Sequence, residues 1–462
     1  MDARDRRVPI ISFTIPPRGP EGPFDAVCRR HMMERVDHDG NMMKAQQHRS
    51  PVSGIFLRIT TATLLAVALV PAIQAQTFSV LYSFQGQPDG AEPTGVLILD
   101  AAENLYGTTP YGGTANLGTA FKLDQAGKET ILHDFTEHAT GLNPSGGLTR
   151  DAKGNLYDTA AGGPKLHETG MVFRLTSTGI EKILYHFRDI DRGHGYSPNG
   201  SLVRDSDGNL YGTTAAGGSG NCNPDLSGCG MVYKLESTGS LAMEYDFSGG
   251  ADGGGPSAGV IRDTAGNLYG TTIGGGSLSG GYQSQCDGDG CGVVFKVDPT
   301  GVETVLYTFT GKADGAQPYA GLIQDSAGNL YGTAHAGGDP AFCGGFGCGV
   351  IFKLNPSGVF TVLHKFTDSP DGEDPVYGSL VRDSLGNLYG TTLNGGSLDC
   401  PEGCGTVFKL DKHGNETILY TFTGGADGSL PLGGLVRDKA GNLYGMTTQG
   451  GVGFGVVFKI TP

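Results

Sequence analysis

One short motif recurs along most of this chain and sets the strongest limit on its fold. The tripeptide Asn-Leu-Tyr occurs seven times, at intervals of 51, 54, 58, 62, 58 and 55 residues. Its asparagines are Asn104, Asn155, Asn209, Asn267, Asn329, Asn387 and Asn442. A period of this size means that one supersecondary unit is used repeatedly. The fold must therefore be assembled from seven copies of one unit.

Each repeat contains four short runs, which read in consensus GLVRD, NLYGTT, GVVFKL and ETVLYTF. The runs are rich in β-branched and aromatic residues and are bounded by Gly, Asn, Asp or Pro, so each is predicted to be a β-strand. The segments D-x-x-G-N, after the first run, and DPTG or NPSG, after the third, have the composition of tight turns. The recurring motif is therefore a turn followed by the second strand.

Four antiparallel strands repeated seven times predict an all-β fold, a seven-bladed β-propeller with four-stranded antiparallel blades. The two ends of the repeat region support closure, since a fourth run stands alone at 79–84 and a third run ends the chain at 455–460. Pairing of these N- and C-terminal strands would complete the last blade and remove an exposed edge. A linear β-array is the alternative, but it gains nothing from complementary ends.

The order of these motifs resembles NHL-type propeller repeats. More closely, NLYGTT, GVVFKL and ETVLYTF followed by D-G and Pro resemble the GloVer tandem repeat of exported bacterial proteins, which carry varied cell-surface anchors. The resemblance covers 77–462 and all seven units. It implies a propeller architecture and no established enzymatic activity. Because the sequence ends directly after a strand, at Pro462, we expect release or attachment by another route rather than a C-terminal anchor.

The first 75 residues lack the repeat and indicate export. The apolar run TATLLAVALVPAI is preceded by three basic residues, Lys44, Arg49 and Arg58, as in a signal peptide. Small residues at its end allow cleavage after Ala75. An uncleaved membrane anchor is the alternative, but about thirteen apolar residues are too few to span a bilayer. We expect a Sec signal peptide and a secreted, periplasmic or cell-surface protein whose mature chain has no membrane span. The sequence is thus predicted to have three parts: a non-repeat extension at 1–41, the signal peptide at 42–75 and the propeller at 76–462. The extension is expected to be disordered or to result from a misplaced start codon.

Charge narrows the class of partner. After removal of 1–75, 22 Lys and Arg and 40 Asp and Glu remain, a formal charge of −18. A nucleic-acid partner is excluded, because neutralising phosphates requires Lys and Arg. A polysaccharide or a surface protein remains as the expected partner of a monomeric propeller, and no cofactor is predicted.

The cysteines of the repeat region form local pairs, and the second member of each pair directly precedes the Gly that opens the third run. An even number of paired cysteines behind a signal peptide predicts disulfides. Zinc is the competing interpretation, but it needs four converging ligands, and these pairs belong to separate repeats without a matching His. We therefore predict no metal site and four disulfides, Cys222–Cys229, Cys286–Cys291, Cys343–Cys348 and Cys400–Cys404.

Ligand binding is predicted on one face of the propeller. The loops between the second and third runs vary in length and are longest in repeats three, four and five, whereas the D-x-x-G-N turns are uniform. Variable loops on a rigid scaffold commonly carry specificity. The candidate ligand-binding residues lie on the loops of repeats four and five and are Tyr282, Asp287, Asp289, Phe342 and Phe346.

Calcium is the alternative role for the loop aspartates. Asp287 and Asp289 stand in CDGDGC, and further aspartates stand in recurring D-G turns after the fourth run, at Asp252, Asp314, Asp371 and Asp427. Calcium requires six to eight oxygen ligands, and no single loop supplies that many. Solvated Asp-Gly turns are therefore the favoured interpretation.

No catalytic residue is predicted. The clearest departures from the repeat lie around repeat two, where Asp158 replaces the Gly of NLYG and RDIDRGHGY carries Asp189, Asp191, Arg192 and His194. Such a set could transfer protons, but a solvated charged loop explains it more simply. His133 and His364 take the Tyr position of the fourth run, so a structural role is predicted. A recurring Arg before the Asp of the first run, as in Arg382, predicts an Arg–Asp contact between blades rather than an anion site.

These observations favour an exported binding module for an extracellular polysaccharide or surface ligand. The alternatives are a propeller lyase or hydrolase and a structural or protein-interaction role. Converging carboxylates or His at the mouth of the central channel would favour the enzyme, whereas an aromatic platform would favour the sugar binder.

Overall fold

The computed structural model describes residues 76–136, 142–144, 146–162, 168–188, 195–220, 222, 228–276, 286 and 290–461. The predicted extension, signal peptide and cleavage position lie outside these residues. Within them, no helix has the length and apolar character needed to cross a bilayer. The one helical element among the described residues is a single 3-10 turn, Cys343–Gly345.

Seven sheets with the same antiparallel strand order confirm the seven-bladed propeller. The strands, from the innermost outwards, are Ile98–Leu99, Leu105–Thr109, Thr119–Leu123 and Glu129–Asp134 in blade 1; Thr149–Arg150 with Leu142–Pro144, Leu156–Gly162, Glu168–Leu175 and Glu181–Arg188 in blade 2; Tyr196–Arg204, Leu210–Ala216, Met231–Leu235 and Leu241–Asp246 in blade 3; Ile261–Arg262, Leu268–Thr272, Val293–Val297 and Glu303–Thr308 in blade 4; Ile323–Gln324, Leu330–Ala334, Val350–Leu354 and Phe360–Lys365 in blade 5; Val381–Arg382, Leu388–Thr392, Thr406–Leu410 and Glu416–Thr421 in blade 6; and Val436–Arg437, Leu443–Thr447, Val456–Thr461 and Thr77–Ser83 in blade 7. A short ribbon, Gly90–Ala91 with Tyr111–Gly112, joins the loops of blade 1.

Blade 7 closes the ring with strands from both ends of the repeat region. Thr77–Ser83 pairs antiparallel with Val456–Thr461, in a register that joins Thr77 to Thr461 and Ser83 to Val456. The predicted closure is thus confirmed. The strand Val456–Thr461 has a partner on both sides, so the edge that it would otherwise expose is covered.

An edge-to-face aromatic contact links every blade to the next. The Phe that follows each fourth strand packs against the third-strand aromatic of the following blade, with ring centroids 5.0–5.3 Å apart at all seven junctions. The Gly of the NLYG motif makes room for this ring, since a Cβ on Gly107 would lie 2.6 Å from the tip of Phe121. Small residues beside a large one therefore explain why glycine recurs inside a strand.

A second contact between blades involves the recurring Tyr, Asp and Arg. In each D-x-x-G-N turn the Asp accepts hydrogen bonds from the Asn side chain and from the Tyr hydroxyl of the motif, as Asp325 does from Asn329 at 2.9 Å and Tyr331 at 3.0 Å. The guanidinium of Arg382 in the next blade lies over the Tyr331 ring at 5.6 Å and reaches Asp325 at 4.0 Å. Arg150, Arg204 and Arg262 cover the preceding Tyr in the same way. The recurring Arg is thus an interblade contact that stacks mainly on Tyr.

The closing strand generates the first prediction. The ring of Phe78 stacks on that of Tyr420 in blade 6, with the ring centroids 3.7 Å apart, and also contacts Phe422 and Phe458. We expect Phe78→Ala to lower the free energy of unfolding by about 2 kcal/mol, because a half-buried ring and its stacking partner are lost. Val80→Ala, on an exposed position of the same strand, should change it by less than about 0.5 kcal/mol. Urea unfolding measures both, and equal effects of the two substitutions would contradict the assigned role of the strand.

Candidate functional site

The entrance of the central channel is framed by one residue per blade in the left-handed backbone region. These residues precede the Pro that leads into each innermost strand, and their φ angles lie between +52° and +65°. We call them the mouth ring: Glu92, Asn143, Ser197, Gly255, Gln317, Asp374 and Leu430. Six of the seven carry a side chain, and each such residue costs roughly 1 kcal/mol or more in this conformation. The surrounding structure must therefore impose it.

Hydrogen bonds from two blades hold the mouth ring. The backbone N–H of Gln317 donates to the carbonyl of Cys291 in the preceding blade at 2.9 Å, and its carbonyl accepts from His335 of its own blade at 3.2 Å. The same pair of bonds recurs at Asp374, with Cys348 and Leu393. The variable loops between second and third strands and the connections after the fourth strands therefore meet on one face.

All four predicted disulfides are present, Cys222–Cys229, Cys286–Cys291, Cys343–Cys348 and Cys400–Cys404. In every pair the second cysteine supplies the carbonyl that accepts from the mouth ring of the next blade. The disulfides therefore anchor the variable loops directly to the channel entrance. This arrangement gives the face a rigid centre under loops of different length.

Aromatic and polar side chains converge on the mouth ring between blades 5 and 6. The ring of Tyr319 lies 5.6 Å from that of His335 and 5.2 Å from that of Tyr377. His335 Nδ1 is 3.2 Å from Asp374 Oδ1, while Asn394 donates to Asp374 Oδ2 at 2.8 Å. We call these five residues the mouth cluster. About a third of the His335 side chain and a fifth of the Asp374 side chain remain exposed, at 31% and 22%.

The predicted ligand-binding residues of repeat five adjoin this cluster. Phe342 and Phe346 flank the 3-10 turn and are 37% and 48% exposed. Between them, Cys343 Sγ lies 2.8 Å from the carboxyl of Glu373, the residue before Asp374. Burial, helped by the neighbouring acids, raises the pKa of Glu373 to about 8. The neutral carboxyl thus joins the loop of blade 5 to the mouth cluster, although Cys343 and Cys348, bonded to each other, offer no thiolate to a metal.

The other predicted site residues, Tyr282, Asp287 and Asp289, lie outside the described residues, as do Asp189, Asp191, Arg192 and His194. Among described residues, exposed apolar side chains on the loops between second and third strands occur in blades 5, 6 and 7. They are Phe342, Phe346, Leu398, Val452 and Phe454. The exposed apolar side chains described on these loops thus lie in blades 5 to 7, and those of blade 5 adjoin the mouth cluster.

The recurring D-G aspartates act as acceptors within their turns. Asp314 accepts from the Tyr307 hydroxyl at 2.9 Å and from the backbone N–H of Thr310 at 2.9 Å. Asp252 and Asp427 accept from Tyr245 and Tyr420 in the same way. These carboxylates are thus held by the turn and its tyrosine, and the solvated turn of the sequence interpretation is in fact partly buried.

A family comparison agrees with this architecture. The model of the Gloeobacter/Verrucomicrobia repeat matches residues 68–224 and 281–462. The chain belongs to this repeat family. The GloVer resemblance of the sequence is thereby confirmed, and no curated protein matches the chain.

Solved structures similar to this repeat-family propeller share its fold at low identity. The extracellular domain of BT4673 from B. thetaiotaomicron matches with a TM-score of 0.51 and 9% identity, over 83% of this chain and 40% of that one. The gluconolactonase XC5397 from Xanthomonas campestris matches with a TM-score of 0.40 and 15% identity, over 84% of this chain and 89% of that one. The chain thus spans well under half the length of the first structure. The likeness to the first structure shows a shared fold alone.

Sequence reasoning missed the mouth cluster of this repeat-family protein. A comparison of the seven repeats contains the signal for this cluster. Tyr319 stands where blade 4 has Ser257, and Tyr377 belongs to a segment that is one residue longer than the corresponding segments of the other blades. Both tyrosines sit just before an innermost strand, a position that the loop-length argument did not consider. The departures around blade 2 were noticed instead.

Asp158, the clearest of those departures, is an interior contact. Its side chain is fully buried and accepts from the backbone N–H of Thr159 at 2.7 Å and from Thr108 Oγ1 of blade 1 at 3.4 Å. Burial raises the pKa of this carboxyl to about 7. Asp158 therefore folds in its neutral form at acidic pH and lies away from any ligand.

This buried acid generates the second prediction. A folded-state pKa above the unfolded value contributes stability at acidic pH, which is lost as the pH rises from about 4 to 7. Asp158→Asn should remove this loss and stabilise the protein at pH 8 by as much as roughly 4 kcal/mol, with little gain at pH 4. Unfolding free energies between pH 4 and 8 measure the slope. Asp207→Asn, in an exposed turn, serves as the control, and an unchanged slope in Asp158→Asn would refute the assignment.

Proposed function

We propose that this protein is an extracellular binding propeller whose mouth cluster recognises a polysaccharide. The observation that carries the proposal is the pair of tyrosine rings, Tyr319 and Tyr377, beside the His335–Asp374 contact at the channel entrance. The four disulfides support an oxidising, extracytoplasmic location.

The chemistry of the cluster suits sugar rings. Ligand sites combine apolar and aromatic walls with a few fixed polar groups, and tyrosine offers both an apolar face and a polar tip. In the cluster, Asn394 donates a hydrogen bond to the Asp374 carboxylate at 2.8 Å and His335 lies beside it at 3.2 Å, so its remaining acceptor capacity is preorganised for hydroxyl donors. Preorganisation lowers the entropic cost of binding. The strained backbone of Asp374 and Tyr377, with φ of +58° and +54°, fixes the same groups.

Charge favours a neutral polysaccharide. The repeat region carries a formal charge of −18, and Asp374 places a carboxylate in the site itself. An anionic glycan would meet like charge at the entrance, which costs affinity and slows association. A glycan without carboxylates or sulfates is therefore the expected ligand.

The third prediction tests the cluster. A panel of neutral and acidic polysaccharides is titrated into the protein with its disulfides intact, and binding is followed by calorimetry. Tyr319→Ser, which installs the residue that blade 4 carries at this position, should weaken binding of the preferred neutral glycan about tenfold, the equivalent of 1.4 kcal/mol. Ser257→Ala in blade 4 is the matched control and should leave the affinity unchanged. Unaltered affinity of Tyr319→Ser, or no binding of any glycan by cooperatively folded protein, would overturn the proposal.

A second candidate function, cleavage of the bound polysaccharide, rests on one observation. His335 Nδ1 lies 3.2 Å from Asp374 Oδ1, a carboxylate that can orient the imidazole ring. In that case His335→Gln should abolish the appearance of new chain ends, while the glycan still binds. Chain ends are counted after prolonged incubation, and wild-type protein that binds glycan without releasing them excludes this candidate.

A further inference from the structure

The outer edges of the blades meet in a repeated side-chain contact. Two positions before the final Phe, the fourth strand carries a Tyr in five blades and a His in two. This residue faces the position four residues before its counterpart in the next blade, as Tyr82 faces Glu129 and Tyr307 faces Phe360. Where that residue is Phe, the rings stack, as Tyr307 does on Phe360 at 3.8 Å. Where it is Glu, a polar contact forms instead, and at three of the four such junctions the D-G aspartate of the intervening turn joins it.

The junction of blades 7 and 1 shows the tyrosine form of this polar contact. The Tyr82 hydroxyl lies 2.9 Å from both Asp89 Oδ2 and Glu129 Oε2, so one hydroxyl joins two carboxyls. Tyr245 and Asp252 form the corresponding pair near Glu303 between blades 3 and 4. In these junctions the central group can donate a proton but offers no nitrogen.

The junction of blades 5 and 6 differs because His364 replaces the tyrosine. Its Nε2 atom lies 3.3 Å from Asp371 Oδ1 and 3.7 Å from Glu416 Oε2. One oxygen of each carboxyl and a nitrogen of His364 all lie within 4.8 Å of one another. All three side chains are mostly buried, with 17%, 12% and 12% of their surface exposed. Two acids this close within such a site require a positive charge between them, either a proton or a cation.

The three donor atoms are spaced like the ligands of one tetrahedral ion. Zinc binds His nitrogen and carboxylate oxygen at about 2.0–2.2 Å, so tetrahedral ligands lie about 3.4 Å apart. The observed separations from Nε2, 3.3 Å and 3.7 Å, require only a small contraction, and all three donors lie within 4.8 Å of one another. Glu416 Oε1 is buried without a hydrogen-bond partner, as are the corresponding oxygens of Glu129, Glu181 and Glu303, so the histidine is what distinguishes this junction.

We propose that His364, Asp371 and Glu416 bind a divalent cation of the zinc class between blades 5 and 6. A nitrogen donor with two carboxylates favours a transition metal over calcium, which prefers six to eight oxygens. Three protein ligands leave a fourth position for water. The ion cross-links two blades through residues from the fourth strands of both and from the turn between them. This proposal is independent of polysaccharide binding.

The test is a titration of the chelator-treated, disulfide-intact protein with Co²⁺, whose tetrahedral complexes absorb visible light. We expect one Co²⁺ per chain, displaced by Zn²⁺, and a rise of a few degrees in melting temperature on addition of Zn²⁺. His364→Tyr should weaken binding at least a hundredfold while folding normally, since five blades carry Tyr at this position. Absent binding in cooperatively folded wild type, or equal binding in His364→Tyr, would overturn the proposal.

Two further variants separate the site from histidine content in general. His133→Tyr is the matched control, because His133 faces Glu181 at 3.9 Å in blade 2 but its own turn has no D-G aspartate. It should leave metal binding unchanged, and a loss equal to that of His364→Tyr would contradict the proposed ligand set. Adding Tyr245→His to His364→Tyr places a nitrogen beside Asp252 and Glu303, and recovery of one bound Co²⁺ there would support the geometric argument.

Discussion

The edge-to-face contact between aromatic rings of neighbouring blades is the interaction on which the rest of this structure depends. It recurs at all seven junctions with nearly the same spacing. Each ring is fully buried, so the junctions are where most apolar surface is removed from water. Around this contact lie the glycine of NLYG, the Arg that covers the Tyr ring and the aspartate of the turn.

The repeat makes the junctions tolerant of change outside that contact, and the functional groups occupy those positions. At the channel entrance the residue after the mouth-ring Pro is Ser in blades 2 and 4 and Tyr in blade 5. At the outer edge, the residue two positions before the final Phe of the fourth strand is Tyr or His. Substitutions at either place leave the aromatic contact intact, so individual blades can acquire chemistry without loss of the ring.

Most of the fold could be predicted from sequence because its determinants are local and repeated seven times. Strand order, closure by Thr77–Ser83 and all four disulfides followed from run composition and from cysteines 4–7 residues apart. The candidate site could not be predicted in this way. Asp374, His335 and Tyr319 come from different connections and meet only because the blades close into a ring. The same holds for His364, whose carboxylate neighbour Glu416 belongs to the next blade.

Misjudged residues share a physical reason. Asp158 and the D-G aspartates looked solvent-exposed because charged residues in Gly-rich segments usually are. In the structure, Asp158 is fully buried and contacts Thr108 of blade 1, and the D-G aspartates accept hydrogen bonds from tyrosines of the preceding strand. The exposure of each carboxylate depends on neighbouring residues from another strand or blade. Those neighbours cannot be identified from the sequence of a single repeat.

The pairing of Thr77 with Thr461 imposes an order on events as the chain is made. The strand that completes blade 7 is the first of the repeat region to be synthesised, whereas its partner is among the last. Blades 1 to 6 can form successively from contiguous segments, but the ring stays open until residue 461 has emerged. Thr77–Ser83 must wait without its partner for almost the whole of that time, and the final step of folding joins the most distant parts of the chain, which is the slowest kind of contact to form.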